Sequence, residues 1–277
     1  MHQSILVFRN YMYLKWALLV VAVAIGLYLL HDPAYGVANG GTWLGYGLGT
    51  VGALLIVWLM WFGIRKRRYG AANLSVEDWL SAHVYLGLAL IFVATLHTGF
   101  QFGWNVHTLA YALMMFVIGS GIFGLVAYLR VPDLMTRNRG GATLDQILQD
   151  IAELDAQCRD TAMALGDRVN QIVLRAAEDT VIGGSFRQQL SGGDTNCPTI
   201  DANRQLQEIA ASAATGQSEQ LRGLIALMAR KEDLVRRARR DVRYKALLDI
   251  WLYIHVPISF ALLAALATHI VAVFFYW

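Results

Sequence analysis

Charge is what this 277-residue chain lacks. Only 16% of its residues are charged and 56% are hydrophobic, whereas soluble domains carry about a quarter charged residues. The shortage is local. No Asp, Glu, Lys or Arg lies between Asp78 and Arg130, and none follows Asp249. Uncharged runs of that length exclude a water-facing fold for those segments and point to a bilayer. Cysteine is scarce too: Cys158 and Cys197 are the only two, and they form no CxxC pair. That excludes an iron–sulfur cluster held by cysteines and, with no CxxCH, a covalently attached c-type haem. No glycine-rich phosphate loop or dinucleotide fingerprint occurs either, which removes the common nucleotide-dependent enzymes.

What is present is a set of apolar runs. Crossing the hydrocarbon core takes about 20 apolar residues, and five segments qualify: 14–31, 42–64, 78–102, 107–130 and 248–276. Only Phe102-Gly103-Trp104-Asn105 separates the third from the fourth, which predicts a tight helical hairpin. The first run lacks a small-residue cleavage site after Leu30 and is expected to be retained as a helix. The predicted fold class is therefore all-α integral membrane, with five transmembrane helices. Residues 1–130 carry four of them, 131–247 form a polar insertion, and 248–277 carry the fifth.

Lys and Arg near helix ends set the expected orientation. Arg9 and Lys15 precede or open the first span, Arg65-Lys66-Arg67-Arg68 follow the second, and Arg130, Arg137 and Arg139 follow the fourth. Arg236, Arg237, Arg239, Arg240, Arg243 and Lys245 precede the fifth, while the loop HDPAYGVANGG and the third-to-fourth connection carry none. With five spans every basic cluster falls on one side. The N-terminus and insertion are predicted to be cytoplasmic and the C-terminus periplasmic, in a bacterial inner membrane. Lipid is an expected partner; nucleic acid is not.

Within the insertion, residues 143–180 read as an amphipathic helix capped by Thr143, with Leu144, Ile147, Leu148, Ile151 and Leu154 at helical spacing. Gly183-Gly184 and SGGDTNCPT (191–199) mark a loop, and a second helical region runs from Asp201 to about Lys245, with a break expected near Gly216. A cytoplasmic antiparallel helical hairpin is the economical arrangement. In a reducing cytosol its two cysteines are expected to be free thiols. The basic run 230–245 suits anionic lipid headgroups or a partner.

Histidine is the unusual element. Four of the seven histidines form two pairs, His83 with His97 and His255 with His269, each fourteen positions apart in an apolar run. Ionisable groups inside a membrane are costly enough to be functional candidates. Fourteen residues rise about 21 Å and return to within about 40° of the same helix face, so each helix shows one imidazole toward either membrane surface. The third and fifth spans share a direction. His83 therefore matches His255 in depth, and His97 matches His269. Zinc wants four ligands, or three and a water, and no Cys, Asp or Glu accompanies these pairs. Haem needs two axial ligands, and with both filled by histidine its task is electron transfer. Two non-covalent haems b, about 21 Å apart along the normal, would make a conducting path.

Gly45, Gly47, Gly49 and Gly52 in the second span, and Gly119, Gly121 and Gly124 in the fourth, leave room for a macrocycle or for close helix packing. Pro257 is expected to disturb its helix near Tyr253. His107 is a candidate for an external quinone or partner site, or an interfacial residue without special role. His2 and His31 look peripheral.

Paired histidines fourteen apart on two parallel membrane helices resemble the dihaem core of b-type cytochromes, both the quinol-oxidising cytochrome b group and the ferric reductase-like group. The resemblance covers about residues 42–130 and 248–277 and implies a four-helix haem-binding core with His83, His97, His255 and His269 as axial ligands of the haem irons. The reductase group's flavin and nicotinamide domain and the cytochrome b group's later helices are not found, and the 131–247 insertion belongs to neither. The expectation is the membrane cytochrome b subunit of a respiratory-type oxidoreductase complex. It would exchange electrons with an iron–sulfur protein, flavoprotein or c-type cytochrome, with quinone a further candidate partner. A haem-free membrane scaffold or sensor, whose cytoplasmic hairpin docks a partner, is the other reading.

Overall fold

The computed structural model describes residues 6–31, 38–65, 75–191, 197–212 and 218–275. His2, Lys66, Arg67, Arg68 and Gly216, with most of the loops around 32–37 and 192–196, lie outside the described residues. All described elements are helices: α1 Phe8–Leu29, α2 Trp43–Arg65, α3 Val76–Thr98, α4 Val106–Arg139, α5 Leu144–Ala162, α6 Asp167–Glu178, α7 Phe186–Ser191, α8 Pro198–Ser212 and α9 Ser218–Phe275. Five are long and apolar enough to cross a membrane. The chain is an all-α integral membrane protein. It divides into two compact units, Met1–Leu125 with Trp251–Trp277, and Val126–Ile250.

The first unit turns large apolar side chains outward, including Leu18, Leu19 and Val23 of α1, Leu54 and Trp61 of α2, Phe92 of α3, Phe116 and Phe123 of α4, and Phe260 and Phe274 of α9. In water such a surface would drive aggregation; in lipid it is the ordinary solvent-facing side. Inside, Ala24, Leu48 and Val93 pack α1, α2 and α3 together. Ile56, Leu59, Leu90, Met114 and Leu262 form a layer drawn from α2, α3, α4 and α9.

The ends of α3 are fixed by local chemistry. Ser75 and Asp78 form a reciprocal capping box at its start. Asp78, only 1% exposed, also accepts from Arg9 Nη2 at 3.2 Å and Tyr13 Oη at 3.1 Å, tying α1 to α3. At the other end Gly99 adopts the left-handed conformation (φ 57°) and its amide donates to Leu96 O. A side chain there would also collide with the backbone of Ala38 and Asn39, so the position requires glycine twice over.

Two helices run on where composition predicts an end. α4 continues past 130 to Arg139, and α9 begins at Ser218, well before 248. The change at those points is in what faces outward, not in the backbone. Pro257 does not interrupt α9 either. Ser259 Oγ donates to His255 O at 2.7 Å, a local bond to the carbonyl four residues back.

The second unit is more divided than a two-helix hairpin. Thr143 caps α5 as its sequence predicts, with Gln146 completing the box. The single helix expected over 143–180 is instead broken: α5 stops at Ala162, and α6 starts after Gly166, whose φ of 95° is left-handed. Helices α5, α6, α8 and α9 then enclose Cys158, Val173, Leu206, Leu224 and Met228. Both cysteines are buried and free. The guanidinium of Arg139 grips Asp241 through two contacts, at 2.8 and 2.6 Å, joining α4 to α9.

At the centre of this unit Lys231, 0% exposed, lies 2.5 Å from Asp155 and donates to Ala176 O at 2.8 Å. Removing one member of a buried pair strands the other charge, at a cost of about 3–5 kcal/mol, whereas replacing both with apolar groups is often neutral. Lys231→Met is therefore expected to lower the thermal midpoint of the detergent-solubilised protein, and Lys231→Met with Asp155→Leu to recover most of the loss. Equal midpoints for wild type and the single variant would count against this account.

Candidate functional site

Three helices of the first unit carry the histidines: α3 has His83 and His97, α4 has His107 in its first turn, and the last part of α9 has His255 and His269. The structure brings His97 and His269 together, with ring centres 5.9 Å apart and planes at 76°. Leu90 and Leu262, each seven residues before the second histidine of its helix, share one apolar cluster. α3 and this part of α9 therefore run in the same direction. The apolar layer of Ile56, Leu59, Leu90, Met114 and Leu262 lies between the two levels, since Leu90 and Leu262 sit midway between the histidines of their own helices.

The orientation of each ring is set by what its Nδ1 meets. His83 Nδ1 lies 3.2 Å from Leu59 O, and His97 Nδ1 lies 2.8 Å from Gly45 O, both carbonyls of α2. A carbonyl can only accept, so in each case Nδ1 carries the proton and donates it. His255 Nδ1 meets Ser120 Oγ of α4 at 2.8 Å. The Ser120 hydroxyl spends its one hydrogen on Val117 O, also at 2.8 Å, so here too the ring donates. In a neutral imidazole with Nδ1–H, the other nitrogen holds a lone pair. Three rings thus present Nε2 as an unprotonated donor atom, and among the described residues none of these Nε2 atoms has a hydrogen-bond partner. His269 differs, because its Nδ1 lies against Nδ1 of His107.

Small residues make these approaches possible. A methyl group on Gly49 would sit 2.7 Å from His97 Cε1 and 3.0 Å from its Nδ1. One on Gly121 would lie 3.5 Å from His255 Cε1, and one on Gly124 would run into the indole of Trp251. That indole donates to Ser120 O at 2.8 Å and lies with its ring centre 5.5 Å from that of His255. At the first level Phe62 of α2 flanks His83, ring centres 5.3 Å apart.

Sequence pattern finds the four histidines and the glycines. It does not single out Ser120, although a hydroxyl between Gly119 and Gly121 in an uncharged stretch of α4 is the available signal. The acceptors on Leu59 and Gly45 are backbone atoms and leave no signal at all. Among the described residues no group of three or more His, Cys, Asp or Glu side chains is arranged to hold a metal ion. No protein-family model matches the chain, and no curated protein or solved structure matches it closely enough to bear on what it does.

The glycines can be tested against one another. Gly49→Ala pushes a methyl into the His97 ring, and overpacking of this kind costs about 1–3 kcal/mol. Gly47→Ala adds a methyl that meets nothing within 4 Å. The first is expected to lower the thermal midpoint in detergent and the second to leave it in place. The same shift in both would mean that His97 is not what requires the glycine.

Proposed function

We propose that the chain is a dihaem b-type cytochrome, the membrane subunit of a multi-subunit redox complex, in which His83 and His255 hold one haem b and His97 and His269 the other. The observation that carries this reading is the state of the ring nitrogens. Metal-bound histidines characteristically donate their second N–H to a carbonyl or similar acceptor, which fixes the tautomer and aims the lone pair. His83, His97 and His255 all have that arrangement, with nothing else bound to Nε2 among the described residues. A histidine kept only to bridge helices would have no need to leave the same nitrogen free three times.

The donor set suits a two-ligand cofactor. His97 and His269, with ring centres 5.9 Å apart, are the two residues that would hold a cofactor at this level. Gly49 gives the His97 ring the space it occupies against α2. A haem iron held by these histidines would supply one-electron transfer. The protein's part is to aim the rings, to keep them fixed by hydrogen bonds to acceptors on α2 and α4, and to exclude water with the apolar layer between the levels.

The basic clusters support a cytoplasmic position for the His83–His255 level and an external one for His97–His269. Electrons would then cross between a redox partner on one side and another on the opposite side, each on a separate subunit.

The test is the reduced-minus-oxidised spectrum of protein purified from haem-replete cells. Two haems b per chain are expected. His97→Ala and His269→Ala should each remove one of them, and His83→Ala and His255→Ala the other. A featureless wild-type spectrum would favour a haem-free scaffold, and loss patterns coupling His83 with His269 would contradict the assignment of levels.

A further inference from the structure

Three of the four paired histidines donate Nδ1–H to an oxygen. The fourth faces a nitrogen. His269 Nδ1 lies 2.5 Å from Nδ1 of His107, with ring centres 4.5 Å apart and planes at 84°. A nitrogen–nitrogen contact that short needs one donor and one acceptor. With the Nε2 lone pair of His269 kept for iron, as in its three counterparts, its Nδ1 holds the proton, and His107 Nδ1 must accept. His107 then carries its own proton on Nε2.

We infer that His107 is a positioning residue for His269: it accepts the ligand's N–H, fixes its tautomer and ring plane, and strengthens it as an electron donor to the metal. This rests on the assignment of His97 and His269 as an axial pair. The placement of His107 is itself well held. It sits in the first turn of α4, where Asn105 Oδ1 accepts from Thr108 N at 3.0 Å and Thr108 Oγ1 accepts from Gly103 N at 3.1 Å. The residues on both sides of His107 are thus tied down.

The acceptor's chemistry matters. An imidazole nitrogen is a stronger acceptor than a peptide carbonyl or a serine hydroxyl, so His269 gains more electron density than the other three rings. Hydrogen bonding to the second nitrogen raises the basicity of a metal-bound histidine, and a more basic ligand favours the oxidised metal. The two levels are therefore unequal by construction. The His97–His269 haem is held at a lower potential than it would have with His107 absent.

The experiment compares wild type, His107→Ala and His107→Gln as purified full chains, measuring haem content, both midpoint potentials and the ferric low-spin resonance signals. His107→Ala should raise one potential and alter one signal while leaving the other haem unchanged. Glutamine offers an oxygen acceptor, so His107→Gln should move both readouts back toward wild type. Loss of one haem in the alanine variant that the glutamine variant restores also supports the inference. Unchanged potentials and signals in His107→Ala would overturn it, as would loss of the same haem in both variants, which would make His107 a ligand or a general structural support. A colourless wild type would instead overturn the haem reading itself, before any variant is compared.

Discussion

An imidazole inside a bilayer has two nitrogens and no water, so each N–H must find an acceptor within the protein. The arrangement of the first unit follows from that requirement. His83 and His97 reach across to carbonyls of α2, and His255 reaches to Ser120 of α4. A peptide carbonyl in a helix is normally screened by side chains, and the His97 ring reaches its acceptor over a glycine where a methyl group would collide with it. Gly45 supplies the acceptor itself, Gly49 the space beside it, and Gly124 the space for the Trp251 indole that flanks His255. Hydrogen bonding, helix approach and glycine placement are one constraint seen at three scales.

The second unit solves a different problem. It is water-facing in composition, with amphipathic helices and a core that includes the buried Lys231–Asp155 pair and the Arg139 grip on Asp241. Buried ion pairs contribute little net stability compared with apolar replacements, because both charges have been taken out of water. Their effect is to penalise any packing in which the partners do not meet.

Much of this was legible beforehand. The spans follow from uncharged runs, the Thr143 cap from a hydroxyl before a periodic stretch, and the paired histidines from spacing alone. The misreadings have physical causes. One helix was expected over 143–180 because the apolar period carries on beyond Gly166, while the backbone turns there into a conformation that glycine permits. Helices α4 and α9 outrun their apolar segments because hydropathy reports the surrounding solvent, and the backbone bonds of a helix form equally well in both. Pro257 lies inside α9, which runs on past it, and its missing N–H leaves Tyr253 O without the usual helical donor.

The amino-acid sequence by itself determined which segments meet lipid and that each of two helices carries two imidazoles on one stripe, because both depend only on composition and helical period. It left unsettled what each ring touches. Only the tertiary structure decided that His97 meets Gly45 O, that His255 meets Ser120, and that His107 reaches His269. Those contacts depend on how far one helix is rotated and shifted against the next. That placement is set by the packing of whole faces, and no local pattern in the chain records it.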